Sequence, residues 1–269
     1  MARPSAIVLT GYGINCDDET AFAFRDSGAD SVIVHINDLI GNPGMLKRFQ
    51  ILVFPGGFSY GDDTGSGRAF ANKLMNNLMH EIKDFAAGDR LILGICNGFQ
   101  VMANMGLVPF PELMPDGISV SLEHNRSFRY QCRWVDLDVT GGTPSVFTRG
   151  IGSMHIPVAH GEGNFFAPPD VLAMIEERRL AVMRYMNPSG GRAFGGFPHN
   201  PNGSLNDIAA VCDGTGRIMG MMPHPERAYF FTQRDDWTLQ RDNRGRRGEE
   251  MPAYGDGRMI FVNAVEYFR

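Results

Sequence analysis

The stretch LILGICNGFQVMANMG, residues 91–106, runs from an unbroken apolar segment through Gly94-Ile95-Cys96-Asn97-Gly98 into a segment with helical spacing. A short apolar run ending at glycine reads as a strand buried on both faces, and such a strand feeding into a helix is the unit of an α/β sheet. The cysteine stands at the turn between them. Glycine on either side permits a tight turn and a close approach to the backbone. A helix opening there would aim free N–H groups and the positive end of its dipole at the sulfur, which favours the nucleophilic thiolate. The bland reading is a buried structural cysteine, since free Cys is among the most buried residue types.

The pattern repeats outward from this unit. Residues 6–9, 32–36 and 51–54 read as further buried strands. Between them, 68–87 carries Ala71, Leu74, Met75, Leu78, Met79, Ile82, Phe85 and Ala86 at three- and four-residue steps and stops at Gly88, which predicts a helix covering a sheet. Residues 17–27 predict another, ending at Gly28. Strands alternating with helices imply parallel pairing through right-handed crossovers. The second half differs: 129–139, 180–186 and 208–222 read as strands joined by turns, the last around residues 213–216. The Gly-, Pro- and Asn-rich run 187–204 is a long loop, and 231–257 is a polar surface excursion before a final helix over 258–268. No repeat or linker divides the chain. The expectation is one α/β domain over 1–269, with a largely parallel central sheet flanked by helices and antiparallel additions in the C-terminal half.

Composition narrows the function. The 269 residues are 43% hydrophobic and 20% charged, with a formal net charge of -5. No basic stripe offers itself to phosphates, so a nucleic-acid partner is not expected. No apolar run approaches the roughly 18 residues of a membrane helix, and the opening residues lack a signal-peptide core, which predicts a cytoplasmic protein without a membrane partner. The four cysteines form no CxxC pair, so neither a disulfide framework nor a metal site is expected.

A cysteine nucleophile needs a proton carrier, and the carrier needs an orienting acid. MMPHPER, residues 221–227, offers both: His224 and Glu226 lie two apart after an apolar run, in a turn stiffened by Pro223 and Pro225. The other histidines have weaker claims. His35 lies in a strand, His80 on a helix, His124 beside Asn125 and His199 in a loop. His155 and His160 are five apart on an apparent strand and need not share a face, so structural roles are expected for all of these. An oxyanion hole is the third requirement. PGGFSYGD, residues 55–62, follows a buried strand and could present the N–H of Gly57 or Phe58, with that of Asn97 as the second donor. A plain tight turn is its alternative, and the lack of a GxxxxGK[ST] pattern argues against a phosphate loop.

In this order, Pro55-Gly56-Gly57, Gly94-x-Cys96-x-Gly98-x-Gln100 and His224-Pro225-Glu226 resemble the class I glutamine amidotransferases. PGGFSYGD, GICNGFQ, HNRSFRYQCRW, HGEG, NPNGS and MMPHPER together resemble the glutaminase components of phosphoribosylformylglycinamidine synthases, across most of the chain. GYGINCDDET, residues 11–20, also fits, with Cys16 outside the catalytic machinery. The resemblance implies that Cys96 attacks the glutamine carboxamide, His224 passes its proton to the leaving ammonia and Glu226 orients His224. It gives Gly57 or Phe58 and Asn97 the oxyanion, and Gly56 and Gln100 the substrate. HGEG and NPNGS would form the rest of the glutamine pocket or a surface facing the synthetase.

The same resemblance implies that ammonia passes to an ATP-using synthetase subunit in de novo purine biosynthesis. A small accessory subunit completes the complex, with ATP and magnesium on the synthetase and no cofactor in this subunit. Two other classes compete. A γ-glutamyl or other cysteine hydrolase would share the cysteine turn and the oxyanion loop without the NPNGS and HNRSFRYQCRW segments. A non-catalytic regulatory subunit would be free to lose the nucleophile, base or acid, all of which are present.

Overall fold

Apolar β-branched runs next to glycine and proline fold here as the centre of a mixed sheet. The computed structural model describes residues 3–62, 65–113 and 119–269. Strands β1 (Ser5–Thr10), β2 (Asp30–His35), β3 (Ile51–Phe54), β4 (Leu91–Ile95) and β11 (Ile218–Met221) pair in parallel in the order β2-β1-β3-β4-β11. The sheet continues with β10 (Ile208–Cys212), β9 (Ala181–Met186), β6 (Gln131–Val139) and β7 (Ser153–His160), each antiparallel to its neighbour. β5 (Ser121–His124) and β8 (Glu162–Phe166) form a separate antiparallel pair. The expected α/β sheet is therefore present, with its antiparallel strands along one side.

β3 and β4 are buried along their whole length, as strands covered on both faces must be. Helix α4 (Asn97–Met105) packs directly on β3 and β4, α1 (Asp17–Asp26) on β1 and β2, and α3 (Arg68–Ala87) against α4. Of the stripe that its spacing predicts, α3 buries Ala71, Leu74, Leu78, Ile82 and Phe85, with Phe70 beside them, while Met75, Met79 and Ala86 are only partly buried. Truncating Leu78 to Ala would cost about 2–5 kcal/mol through lost burial and a residual cavity.

α4 lies unusually close to the sheet, and three glycines make this possible. A Cβ on Gly94 would fall 2.3 Å from Met102 Sδ, one on Gly98 1.8 Å from Phe54 O, and one on Gly220 2.2 Å from the Phe99 ring. The helix is buried on nearly every side and carries Phe99 and Met102 into the core.

Some elements lack a clear sequence signal. Residues 32–36 were expected as one strand, but the strand ends at His35. There the imidazole Nδ1 accepts from Asn37 N and caps α2 (Ile36–Gly41). α5 (Pro169–Glu177) buries only Ile175. The excursion 231–257 holds a helix, α6 (Trp237–Arg247), with no buried residue. Its ends close on each other: Phe231 N donates to Ala253 O, Gly255 N to Tyr229 O and Gly257 N to Ala228 O. The chain ends in α7 (Arg258–Glu266), packed against α1. Among the described residues, no helix is long and apolar enough to cross a membrane.

Candidate active site

Parallel register brings the sequence motifs together. β4 and β11 run side by side with Ile95 opposite Met221, and Cys96 N donates to Met221 O at 2.7 Å. Cys96 leaves the end of β4 and His224 follows the end of β11, at the same edge of the sheet. Cys96 itself has φ 50° and ψ -104°, a conformation that β-carbon sterics disfavour by about 1–3 kcal/mol and that persists only where surrounding packing enforces it. The enforcement comes from α4, pressed onto β3 and β4 through Gly94 and Gly98. The side chain is buried, and its sulfur lies 3.7 Å from Ala159 O at the end of β7.

His224 and Glu226 are almost completely buried. The turn Pro225–Ala228 folds the acid back so that Glu226 Oε1 lies 2.5 Å from His224 Nδ1, while His224 N donates to Pro157 O at 2.8 Å. The carboxylate holds the proton on Nδ1 and leaves Nε2, which is buried without a hydrogen-bond partner among the described residues, as the site of proton exchange. Burial works against a charged ring. The Glu226 carboxylate, followed by the Cys96 and Cys16 sulfurs, outweighs it and holds His224 well above the usual imidazole range. An imidazolium stabilised by a sulfur is the arrangement of a cysteine–histidine ion pair.

The oxyanion donors separate. Phe58 N donates to Gly13 O at 2.8 Å, so the alternative that assigned Phe58 to the oxyanion does not hold in this conformation. Gly57, at φ 153°, packs with its α-carbon against Gly13 and Ile14, and among the described residues its N–H has no acceptor. Among the described residues Asn97 N, at the start of α4, has no acceptor either. Gly56 is tied into the neighbouring main chain: its carbonyl accepts from Asn15 N and Cys16 N, and a Cβ there would lie 2.7 Å from His224 Cε1. It is glycine because the His224 ring lies against it. Gln100 Nε2 donates to Glu162 O and its Oε1 accepts from Asn97 Nδ2, so the amide joins two protein segments.

HGEG and NPNGS prove to be one construction. Asn202 Nδ2 donates to Gly163 O at 2.7 Å and to Tyr185 OH at 3.1 Å, and Ser204 Oγ donates to Asn202 Oδ1. Asn200 Nδ2 donates to Asp207 Oδ1, which also receives Gly195 N. This buried network fixes the end of the long loop behind β8. Glu162 faces outward into a cavity of about 660 Å³ that Arg68, Glu123 and Arg126 also line.

Two residues read as structural lie close to the chemistry. His160 is buried, with Nδ1 3.0 Å from Asn125 Oδ1, and Asn125 is fixed in turn by donating to His160 O and Arg129 O. Burial first, then the charge of His224, push its pKa down to about 3, so it stays neutral. Cys16 lies 4.0 Å from His224 Nδ1, although the sequence placed it away from the machinery. Only its proximity in three dimensions reveals this. Cys16, His224 and Glu226 are near enough to share a metal ion. Arg227 Nη2, however, already donates to Cys16 Sγ at 2.9 Å and Glu226 already holds Nδ1, a hydrogen-bonded arrangement that a cation would have to break. His155 lies elsewhere, bridging Asp136 at 2.9 Å and Asp235 at 3.0 Å.

The chain is similar to known proteins along nearly all of its length. Residues 3–268 match the model of the CobB/CobQ-like glutamine amidotransferase domain. The phosphoribosylformylglycinamidine synthase subunit PurQ of Methanococcus maripaludis is 47% identical over 266 residues, covering 98% of this chain and 97% of that protein. The subunit of the same name from Dehalococcoides mccartyi is 40% identical, covering 100% and 99%. Among solved structures, PurLQS from Thermotoga maritima aligns with a TM-score of 0.69 at 28% identity over the full length of both chains. The fold, the cysteine turn and these likenesses agree: the chain belongs to the family of CobB/CobQ-like glutamine amidotransferase domains.

Proposed function

We propose that this chain is the glutaminase subunit of a phosphoribosylformylglycinamidine synthase, acting in the cytoplasm in de novo purine biosynthesis. The observation that carries the reading is Cys96 on its strained turn, held beside a buried His224–Glu226 pair, in a chain 47% identical to subunits of that name. Cys96 Sγ attacks the carboxamide carbon of glutamine, its proton having already passed to His224 Nε2. The N–H groups of Gly57 and Asn97 stabilise the oxyanion. His224 then protonates the departing nitrogen, and ammonia leaves a γ-glutamyl thioester on Cys96. Water, deprotonated by His224, attacks the thioester carbon and releases glutamate and the free thiol. Glu226 keeps the ring in one tautomer and stabilises its positive charge throughout.

Glu162 is tied through its carbonyl to Gln100 on the nucleophile's helix, so the HGEG segment and the nucleophile share one frame.

Free ammonia is mostly protonated at neutral pH and no longer nucleophilic, so the product is useful only where an acceptor enzyme is docked. Exposed aromatics beside the oxyanion loop suit such a partner. Phe128 and Tyr130 are 83% and 51% exposed, and Phe58 and Tyr130 lie with ring centroids 6.1 Å apart. We infer an ATP- and magnesium-using synthetase subunit there and a small accessory subunit in the same complex. This chain itself would carry no cofactor. The test is Cys96→Ala in the reconstituted complex. Glutamine-dependent product should fall roughly 10⁴-fold or more while ammonium salts still support synthesis. Retained glutamine-dependent activity would overturn the assignment.

A further inference from the structure

Cys16 is buried, lies outside the nucleophile's turn and takes no part in the steps above. Its surroundings join two parts of the site that have no covalent link. On the main-chain side, Asn15 N and Cys16 N both donate to Gly56 O, at 3.4 and 3.2 Å. Phe58 N donates to Gly13 O and Tyr60 N to Tyr12 O, so residues 12–16 carry the oxyanion loop as an added strand would. On the side-chain side, Cys16 Sγ lies 4.0 Å from His224 Nδ1, accepts from Arg227 Nη2 at 2.9 Å and donates to Asn15 Oδ1 at 3.3 Å. A Cβ on Gly56 would fall 2.7 Å from His224 Cε1 and 3.0 Å from Cys16 Sγ, which means that the loop, the ring and the sulfur are packed in mutual contact.

We propose that Cys16 is a positioning residue for glutamine hydrolysis: its main chain sets the oxyanion loop, its sulfur sets the His224 ring, and together they hold base and oxyanion donor in one register. The inference rests on the assignment of Cys96, His224 and Glu226 to that reaction. A single hydrogen bond donated to Glu226 fixes the tautomer but leaves the ring free to rock about the Nδ1–Oε1 line. The Cys16 sulfur and the Gly56 α-carbon remove that freedom. The sulfur also occupies a donor of Arg227, whose Nε lies 3.9 Å from Glu226 Oε1 and 3.6 Å from Glu19 Oε1. Without the sulfur, the guanidinium can turn further onto Glu226 and compete with His224 for the carboxylate. Burial pushes the Cys16 thiol up, so it remains protonated, as a spacer should and a nucleophile should not.

The test uses Cys16→Ala and Cys16→Ser in the complete synthetase complex. Glutamine-dependent kcat, KM and pH profile are measured beside ammonium-dependent synthesis, which reports assembly. Reactivity is sensitive to sub-ångström misplacement, so Cys16→Ala should lower glutamine-dependent kcat about tenfold with KM little changed. The basic limb of its profile should move to lower pH, because one of the influences raising His224 has gone. Ammonium-dependent synthesis should be unaffected. Cys16→Ser, which keeps an acceptor for Arg227, should recover part of kcat and of the pH shift, and it decides the matter if the alanine variant does not assemble. A role in packing alone would lower the thermal midpoint and leave kcat and pH profile as in the parent, and that result overturns the proposal. If instead Cys96→Ala kept glutamine-dependent activity, the reading beneath it would fail, whatever Cys16 does.

Discussion

Gly98→Ala puts the geometry of the nucleophile's turn to a direct test. The added methyl would lie 1.8 Å from Phe54 O and 2.5 Å from Phe54 C, which are main-chain atoms of a fully buried strand and cannot rotate aside. That is about 1.5 Å short of ordinary van der Waals contact, so the start of α4 must lift from β3 by about that distance. Overpacking of this kind costs about 1–3 kcal/mol, or roughly 2–12 °C in Tm at this chain length. The kinetic effect should be larger in proportion. The displaced turn carries both Cys96 and the Asn97 N–H, and a misplacement of about 1 Å lowers rates by about a hundredfold. Glutamate release by the assembled complex and thermal unfolding of the subunit measure the two effects. Gly141→Ala serves as control, since nothing lies within 4 Å of its added methyl. A Gly98→Ala protein with the parent's kcat and Tm would refute the claim that close packing of α4 holds the nucleophile in place.

Glu226→Gln should lower glutamine-dependent kcat by about 10²–10⁴-fold with ammonium-dependent synthesis intact, because the amide no longer stabilises the imidazolium. It should also move the basic limb of the pH profile to lower pH, since Glu226 is the foremost influence raising His224, and an unmoved limb would count against the ion pair. His155 titrates in another place. Burial works against its charge, but Asp136 and Asp235 raise its pKa, with Arg234, Asp236 and Asp256 alongside. Its contribution to stability is therefore full below the unfolded imidazole value of about 6.5 and is lost as pH rises through the raised folded value. Proteolysis of the 231–257 excursion should accelerate over that range, and His155→Gln should remove the dependence. Replacing α6 by a short Gly-Ser link should leave the subunit's Tm within about 2 °C, as the helix buries nothing and its flanks close on each other, but should weaken co-purification with the synthetase.

The parallel half of the fold and the gathering of the candidate trio were legible in the sequence for a physical reason. Buried strands such as residues 91–95 and the stripe of α3 carry periodicities that few other structures share, and Cys96, His224 and Glu226 stand at strand ends, where parallel register gathers them. What escaped depends on contacts between distant segments. Nothing in GYGINCDDET announces that Cys16 will meet His224, and whether Gly57 or Phe58 keeps a free N–H depends on Gly13, more than forty residues earlier. α6 escaped because an exposed polar helix has no apolar stripe. Gln100 and NPNGS were recognised as motifs, but their work in holding Glu162 and Gly163 was visible only as hydrogen bonds.

The place of β11 between β4 and β10 has a consequence for how the chain is made. β4 is an entirely apolar strand, and on the side opposite β3 it is completed by β11, which leaves the ribosome only after residues 96–217 have followed. Throughout that interval the nascent protein carries an unpaired, hydrophobic sheet edge, the feature most prone to recruit another chain. The same delay keeps the nucleophile apart from its base, since His224 arrives with the strand that closes the edge. A growing polypeptide is thus exposed to aggregation for as long as it is unable to consume glutamine, and one late strand ends both conditions together.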